Sequence, residues 1–595
     1  MNSKRLRQKF LEFFEKRGHK VVPSSSLLST DPSVLFTSAG MQQFKVYYLG
    51  EKSPYGLDVV SCQKCFRTSD IEEVGNEKHL TFLEMLGNFS FGGYFKKEAI
   101  NWAYQFLFEE LKLPIEEAIF TVFKGNKDVP EDKESIEIWK KLGIPENKIK
   151  KCGRADNFWG PTGEEGPCGP TTEIHLRGIE VWNLVFNEYY QDYNPPTTHS
   201  PPRNKKLTPL KQKGVDTGMG LERLAMVVQN KPSVFETDLF EPIIGELQKY
   251  TGPTPANLKA ERIIADHIKG SIFLIAEGIF PSNVEEGYVL RRILRRAIRF
   301  GKLLDYNPPT TQYSFLIPLA QKVIEIYQDI YPEVKSREAD ILTVIQKEGE
   351  KFEKTLEKGL KEFGKIAAKG DIKGDEAFHL YDTYGFPLEL TGELAKEKGL
   401  KVDVKGFEES FRKHQEISRA GVEKKFGGVG KKVTYESTKL HTATHLLHSA
   451  LRKIFGEHVR QMGSDITLQR LRFDFSHPQK MTIEEIKKVE DLVNQKIREN
   501  LEVRKEEMSL KEALNSGALS FFKEKYPEKV TVYSITELLK EAKVKKRTKS
   551  SSPKAFSKEI CAGPHVKKTS ELGSFKIIKE ESSGAGVRRI RAILR

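Results

Sequence analysis

Cysteine is scarce. The 595-residue chain holds five, too few and too scattered for a disulfide framework, which excludes a stapled secreted scaffold and fits a reducing cytoplasm. Long apolar runs are missing too. Nothing approaches the ~20 residues that cross a bilayer, so no membrane partner is expected. The opening stretch, Met1 to Lys20, is charged and amphipathic and lacks the apolar core of a secretory signal. There is no internal repeat and no low-complexity tract of note. Charge, by contrast, is plentiful. Charged residues make up 30% of the chain, and Lys plus Arg exceed Asp plus Glu by 14. Such a balance attracts polyanions through release of counterions from phosphates. With 38% hydrophobic residues, the chain has the composition of soluble globular proteins. Its length suits three or four domains of ~100–200 residues each.

Signals along the chain divide it. Residues 1–245 mix helix and strand. LRQKFLEFFEKRGH (6–19) has apolar residues at helical spacing, and short β-prone runs follow at Val59–Val60, IFTVF (119–123) and VWNLVF (181–186). This order fits an α+β domain better than regular βαβ alternation. The Pro-rich NPPTTHSPPRNKKLTP (194–209) reads as a connection between two strands. From about Phe240 to Lys425 the pattern is helical. KKFGGVGKKVTYES (424–437) is a Gly-rich linker, and a mixed α/β unit runs from it to the end. Within that unit, KVKKRTKSSSPKAFSKE (543–559) has the composition of a mobile loop. The expected domains are therefore 1–240, 241–425, a linker at 426–437, and 438–595.

Three segments of the first domain combine Arg, Gly turns and polar loops. CQKCFRTSDIEEVGNEKHLTFLEMLGNFSFG (62–92) sets Arg67 before a polar loop, then Phe82 and Glu84. GVDTGMGLERL (214–224) runs from a Gly-rich turn onto Glu222 and Arg223. SSSLLSTDPSVLFTSAGMQQF (24–44) ends on a small-residue turn at Ala39–Gly40. Activation of an amino acid by ATP needs such parts. A carboxylate attacks the α-phosphate and pyrophosphate leaves, so catalysis is mainly positioning and charge stabilisation. One Arg can grip the α-phosphate bidentately, another can stack on a base, and an aromatic ring can cover the adenine. The pair Cys62–Cys65 forms a lone CxxC, read as coincidence rather than a metal site.

These segments resemble the three signatures of class II aminoacyl-tRNA synthetases, and the wording is similar to that of the alanyl-tRNA synthetase family. SAGMQQF, FLEMLGNFSFG, ADNFW (155–159), PCGP (167–170), VWNLVF and DTGMGLER carry the likeness in order. The resemblance implies an antiparallel-sheet catalytic domain, a helical tRNA-recognition domain and an α/β editing domain. It implies ATP with Mg2+ as cosubstrate, held by Arg67, His79, Phe82, Glu84 and Arg223, with Arg67 and Arg223 catalytic. Asp216 would take the ammonium group of alanine in a pocket walled by Met41, Trp159 and Val185. Thr171 stands where the family commonly has Cys.

GYVLRRILRRAIRFG (287–301) repeats Arg291, Arg295 and Arg299 at four-residue spacing beside Arg292 and Arg296. It is the clearest helical RNA-binding stripe. The alternative is neutralisation of part of it by carboxylates from neighbouring elements. The stretch is similar to a hallmark of the same family, as are ADHIK (265–269), FPSN (280–283) and LYDTYGFPLELT (380–391). By that resemblance Arg291, Arg292, Arg295 and Arg296 bind tRNA, and Asn283 and Asp382 read a G·U pair in the acceptor stem of tRNA(Ala). A wobble pair leaves a guanine amino donor in the accessible minor groove of A-form RNA.

HTATHLLH (441–448) puts His441 and His445 on one helical face, and CAGPH (561–565) adds Cys561 and His565. Three imidazoles and one thiolate make a tetrahedral zinc set, with His448 as an alternative ligand. The domain resembles the editing domain of alanyl- and threonyl-tRNA synthetases, with RLRFDFSH (470–477) and SSGAGVRRI (582–590) matching the alanyl version. Editing has a physical motive. A pocket for alanine rejects glycine or serine by only ~10–200-fold, so a second, hydrolytic site is expected. Thr444 and Gln461 are the polar groups read as sensing the serine hydroxyl.

A small β-barrel that usually precedes the editing helix, and a C-terminal domain that usually follows, have no counterpart in the pattern. A monomer is therefore expected. A free-standing trans-editing hydrolase would leave the first 430 residues unused, and an inactive RNA binder would have no use for Arg67, Arg223 and Asp216.

Overall fold

The computed structural model describes residues 1–31, 33–192, 206–252, 255–304, 315–423, 434–467, 469–477, 479–520, 528–536, 555–561, 563–584 and 587–595. Most of the Pro-rich segment, the linker and the basic Ser-rich stretch lie outside these residues. Contacts group the chain into two units, one of residues 1–279 and 283–358, the other of 280–282 and 359–595.

The first unit is built on a nine-stranded sheet. Its strands are β1 (Lys20–Val21), β2 (Asp58–Phe66), β3 (Phe82–Ser90), β4 (Ala118–Phe123), β5 (Ile149–Cys152), β6 (Phe158–Trp159), β7 (Gly166–Leu176), β8 (Ile179–Gln191) and β9 (Leu207–Gly220). Their order is β1-β2-β3-β9-β8-β7-β4-β5, with β6 paired to β7. The outer pairs β1–β2 and β4–β5 are parallel, and the interior pairings are antiparallel. This is the α+β, antiparallel-centred sheet expected of the first domain. The opening helix, Ser3–Glu15, starts at Asn2, whose side chain accepts the Arg5 N–H. It buries Leu6, Phe10, Phe13 and Phe14 against Phe106 and Trp182. Each fully buried Phe contributes ~1.5–3 kcal/mol.

Helix Leu258–Ala276 is buried almost all round, the mark of a helix enclosed by other elements. Helix Glu285–Leu303 turns Leu290, Ile293, Leu294, Ala297 and Ile298 inward. Both pack within the first unit, which runs on to Lys358, well past the change of composition near residue 240.

The second unit begins with helices Gly374–Tyr384, Leu388–Glu397 and Val404–Glu423. Helices Tyr435–Phe455 and Ile483–Arg498 then share an apolar core with a four-stranded sheet. That sheet is ordered β10-β11-β16-β15, from β10 (Gln461–Ile466), β11 (Leu471–Ser476), β15 (Phe575–Gly584) and β16 (Val587–Leu594). Strands β12 (Glu502–Ser509), β13 (Lys529–Thr536) and β14 (Ser557–Ile560) form a second, antiparallel sheet. Among the described residues no helix is long and apolar enough to cross a membrane.

Candidate active site and metal centre

Strand alternation builds a cavity of about 290 Å3 on the large sheet. Side chains two apart share a face, so Leu83 and Met85 of β3, Val181, Asn183 and Val185 of β8, and Asp216, Gly218 and Gly220 of β9 all line it. Glycine at 218 keeps the floor open, since a Cβ there would stand 3.1 Å from the Met85 sulfur.

Arg67, at the end of β2, and Arg223, in the helix that follows β9, enter the cavity together. Arg67 Nε donates to the Ser38 carbonyl at 3.2 Å, and Arg223 Nη1 donates to the Glu180 carboxylate at 2.9 Å. Trp159 and Val185 form part of the wall. Asp216, paired across the sheet with Val185, is buried, and burial pushes its carboxyl up to about 7. The sequence segments that carry Arg67, Arg223, Asp216, Trp159 and Val185 thus converge on one cavity.

Three other expected residues face elsewhere. Phe82 is fully buried, with its ring stacked at 3.9 Å on Phe273. Glu84 is fully buried too, and accepts from Arg7 and from the Tyr331 hydroxyl. Both corrections have one cause: positions 82 and 84 share the face of β3 opposite to that of Leu83 and Met85. Neither can cover adenine or bind ATP from there. Met41 is also core, enclosed by Val22, Phe44, Tyr48 and Phe89, while Ala39 lines the cavity in its place. His79 is half-buried and bonded through Nδ1 to Asn76 at 2.7 Å. Burial chiefly, with help from Arg223, holds its imidazole below the usual range against the pull of Asp70.

Glu222, named at the end of its Gly-rich turn, lines the cavity, as do Lys78, Asp156, Glu173 and Asn183, which were not singled out from the sequence. The period-2 set Val181, Asn183 and Val185 in VWNLVF was the available signal. Asn183 donates to Glu173 at 3.1 Å, and its buried Oδ1 has no partner among the described residues.

The arginine helix differs from its expected role. Arg291, Arg295, Arg296 and Arg299 are all at most 8% exposed. Arg295 Nε donates to Glu348 at 2.7 Å, and Arg291 Nε lies 3.3 Å from the same carboxylate. Arg296 donates to the Ile71 carbonyl at 2.8 Å. Arg292 is half-buried and pairs with Glu72. Arg291, Arg295 and Arg296 are therefore not a surface stripe for phosphates. Arg291 and Arg295 share the Glu348 carboxylate, and the Ile71 carbonyl engages Arg296. Asn283 is exposed and accepts from Arg291. In the second unit, Asp382 is exposed, 3.9 Å from His414 Nε2.

The expected zinc ligands meet. His441, His445, Cys561 and His565 each offer an atom, and these lie within 4.8 Å of one another. The remaining ring nitrogens are held outside: His441 Nδ1 at the Pro564 carbonyl, His445 Nδ1 at Glu559, His565 Nδ1 at Thr442 Oγ1. This outer shell fixes ring orientation, as around bound metals. The buried His565 Nε2 has no partner among the described residues. Burial, the first cause, and the neighbouring imidazole of His445 push His441 down to about 4, so neutral imidazole is offered at neutral pH. Donor set, spacing and neutrality all fit zinc. Glycine at 563 is needed, because a Cβ would come within 2.1 Å of His441. His448, the alternative ligand, is fully buried and bonded to Glu559 at 3.0 Å, outside the cluster. Thr444 is buried, and its hydroxyl donates to the Leu440 carbonyl at 2.9 Å. Gln461 is half-buried and donates to Ser464 at 3.1 Å.

Two arginines, a buried carboxylate and small apolar walls on an antiparallel sheet are the parts of a class II aminoacyl-tRNA synthetase site. Residues 5–464 match the family described as tRNA synthetases class II (A), and residues 530–591 match the threonyl and alanyl tRNA synthetase second additional domain. An alanine–tRNA ligase of Borrelia hermsii is 46% identical over 99% of both chains. One of Treponema pallidum is 45% identical over 99% of this chain and 97% of its own. One of Thermotoga maritima is 39% identical over all of this chain and 80% of its own length. The chain belongs to the alanyl-tRNA synthetase family.

Proposed function

We propose that the protein joins alanine to tRNA(Ala) through an alanyl-adenylate, consuming ATP with Mg2+, and clears Ser- or Gly-tRNA(Ala) by hydrolysis. Residues 1–240 carry activation, 241–425 tRNA recognition and 438–595 editing. The convergence of Arg67, Arg223 and Asp216 on one cavity supports the reading best. Asp216 takes the ammonium of alanine, and the space between Trp159 and Val185 admits a methyl group. Arg67 neutralises charge on the α-phosphate as the alanine carboxylate attacks and pyrophosphate departs. Arg223, braced by Glu180, holds the distal phosphates, and His79 stands beside the loop. No covalent enzyme intermediate forms, so positioning and electrostatics carry the rate. The acceptor hydroxyl of tRNA then attacks the activated carbonyl and AMP leaves. Asn283 and Asp382 are the readers of the G·U pair, and Arg292 is the arginine of its helix best placed to meet RNA.

His441, His445, Cys561 and His565 would hold one zinc ion, which supplies positive charge to orient the mischarged ester or to activate water. Four protein donors leave no open position, which favours orientation. Thr444 and Gln461 are the polar groups for sensing the serine hydroxyl. A monomer working in the cytoplasm completes the reading. Alanine-dependent exchange of pyrophosphate into ATP tests it: exchange with alanine is expected, and its absence in folded protein would overturn the assignment.

A further inference from the structure

The loop between β2 and β3, residues 67–81, begins with Arg67 and is fastened along its length. From helix Leu258–Ala276, the Asp266 carboxylate accepts the Thr81 N–H at 2.8 Å and the Thr81 hydroxyl at 2.6 Å. Arg262 donates to the Gly75 carbonyl at 3.4 Å and stands 3.7 Å from Glu77. From helix Glu285–Leu303, Arg296 donates to the Ile71 carbonyl and Arg292 pairs with Glu72. The loop closes on itself where the Arg67 N–H donates to the Thr81 carbonyl at 2.8 Å.

The protons in this array can be placed. A guanidinium only donates. Arg296 Nη1 lies 2.9 Å from His267 Nε2, so that nitrogen accepts. The imidazole proton is then on Nδ1, which donates to Asp266 Oδ2 at 2.9 Å. Asp266 therefore takes three donors, two from Thr81 and one from His267. Thr81, Asp266 and His267 are fully buried and Arg296 is nearly so. An amide at 266 would keep one acceptor and turn a donor toward the Thr81 hydroxyl and the imidazole N–H.

We infer that Asp266 is a positioning residue for amino-acid activation. Through Thr81 it fixes the backbone from which Arg67 reaches the cavity, and through His267 and Arg296 it ties Arg67 to the helix that holds Asn283. The inference rests on the reading of Arg67 as a phosphate ligand. The carboxylate sits one residue and one backbone hydrogen bond from Arg67. A small shift at Thr81 is carried directly to the guanidinium, and displacement of a positioned group by ~1 Å can cost ~100-fold in rate.

The test compares Thr81→Val, Thr81→Ser and Asp266→Asn, alone and in an Arg67→Ala background, by pyrophosphate exchange, with melting curves for each. Thr81→Val is nearly isosteric and keeps the backbone bond, so it decides the matter if Asp266→Asn fails to fold. A displacement of Arg67 smaller than ~1 Å predicts a fall of ~10-fold in kcat/KM for ATP. The KM for alanine should stay unchanged and Thr81→Ser should match wild type. In the Arg67→Ala background the Thr81→Val effect should vanish. Wild-type exchange by folded Thr81→Val, or an undiminished loss without Arg67, would overturn the inference. A wild-type protein with no exchange would instead remove the activation reading, and this inference with it.

Discussion

Arg7 and Glu84 form a two-pronged ion pair beneath the candidate nucleotide cavity, Nε to Oε1 at 2.8 Å and Nη2 to Oε2 at 2.6 Å. Burial by itself would raise the Glu84 carboxyl, but the charge and hydrogen bonds of Arg7, with Lys269 behind, bring it below the ordinary carboxylate range. A depressed carboxylate stabilises the fold fully above its unfolded pKa of ~4.3 and loses that contribution as pH falls below it. Acid should therefore remove this pair's contribution only below about pH 4. Arg7→Met leaves the carboxylate buried and unpaired, at a cost of ~3–5 kcal/mol. Urea unfolding at pH 7 reads the loss, and a cost under ~1 kcal/mol would mean the pair is dispensable.

Arg67→Ala should lower alanine-dependent pyrophosphate exchange by ~100–1000-fold, the usual effect of removing one positioned donor to developing charge. Near-normal exchange would move the phosphate contact to another residue.

Alanine affinity should depend on pH through Asp216. Burial raises this carboxyl to about 7 in the free protein, and only the carboxylate can take an ammonium group. The KM for alanine should thus fall as pH rises from 6 to 8, then level off. Asp216→Asn should raise KM and flatten the profile. A flat profile in the wild-type protein would remove Asp216 from the alanine site.

Asn283→Ala should narrow discrimination between G·U and G·C acceptor stems while adenylate formation without tRNA stays intact. Because Arg291 holds Asn283, Arg291→Lys should do the same to a smaller degree. Full discrimination by Asn283→Ala would place the reader elsewhere.

Purified protein should carry one zinc ion per cluster of His441, His445, Cys561 and His565. Cys561→Ala should lose the metal and the hydrolysis of Ser-tRNA(Ala), yet keep pyrophosphate exchange. Elemental analysis and deacylation assays decide this. Bound zinc without deacylation would leave a structural metal.

Much of this was legible in the sequence. His441 and His445 are four apart on a helix, and CAGPH could reach them wherever the chain folded back. Arg67, Arg223 and Asp216 stood in segments whose order matched a family. What failed was parity and partnership. Phe82 and Glu84 are one step out of phase with the cavity, and nothing in FLEMLG tells which face of β3 looks outward. Arg295 reads as a surface cation until Glu348, 53 residues on, is seen to meet it. Local sequence does not contain that carboxylate.

The interior arginines of helix Glu285–Leu303 have a consequence for RNA binding. A cation already matched by Glu348 or engaged by a backbone carbonyl has no anionic guest to exchange. Each phosphate neutralised by a solvated cation adds ~0.7–0.9 to the slope of log affinity on log salt. These buried side chains add little to it. Recognition around Asn283 should therefore persist at ionic strengths that strip non-specific RNA from the basic remainder of the chain. The sequence-reading part of the protein would then be the part least sensitive to salt.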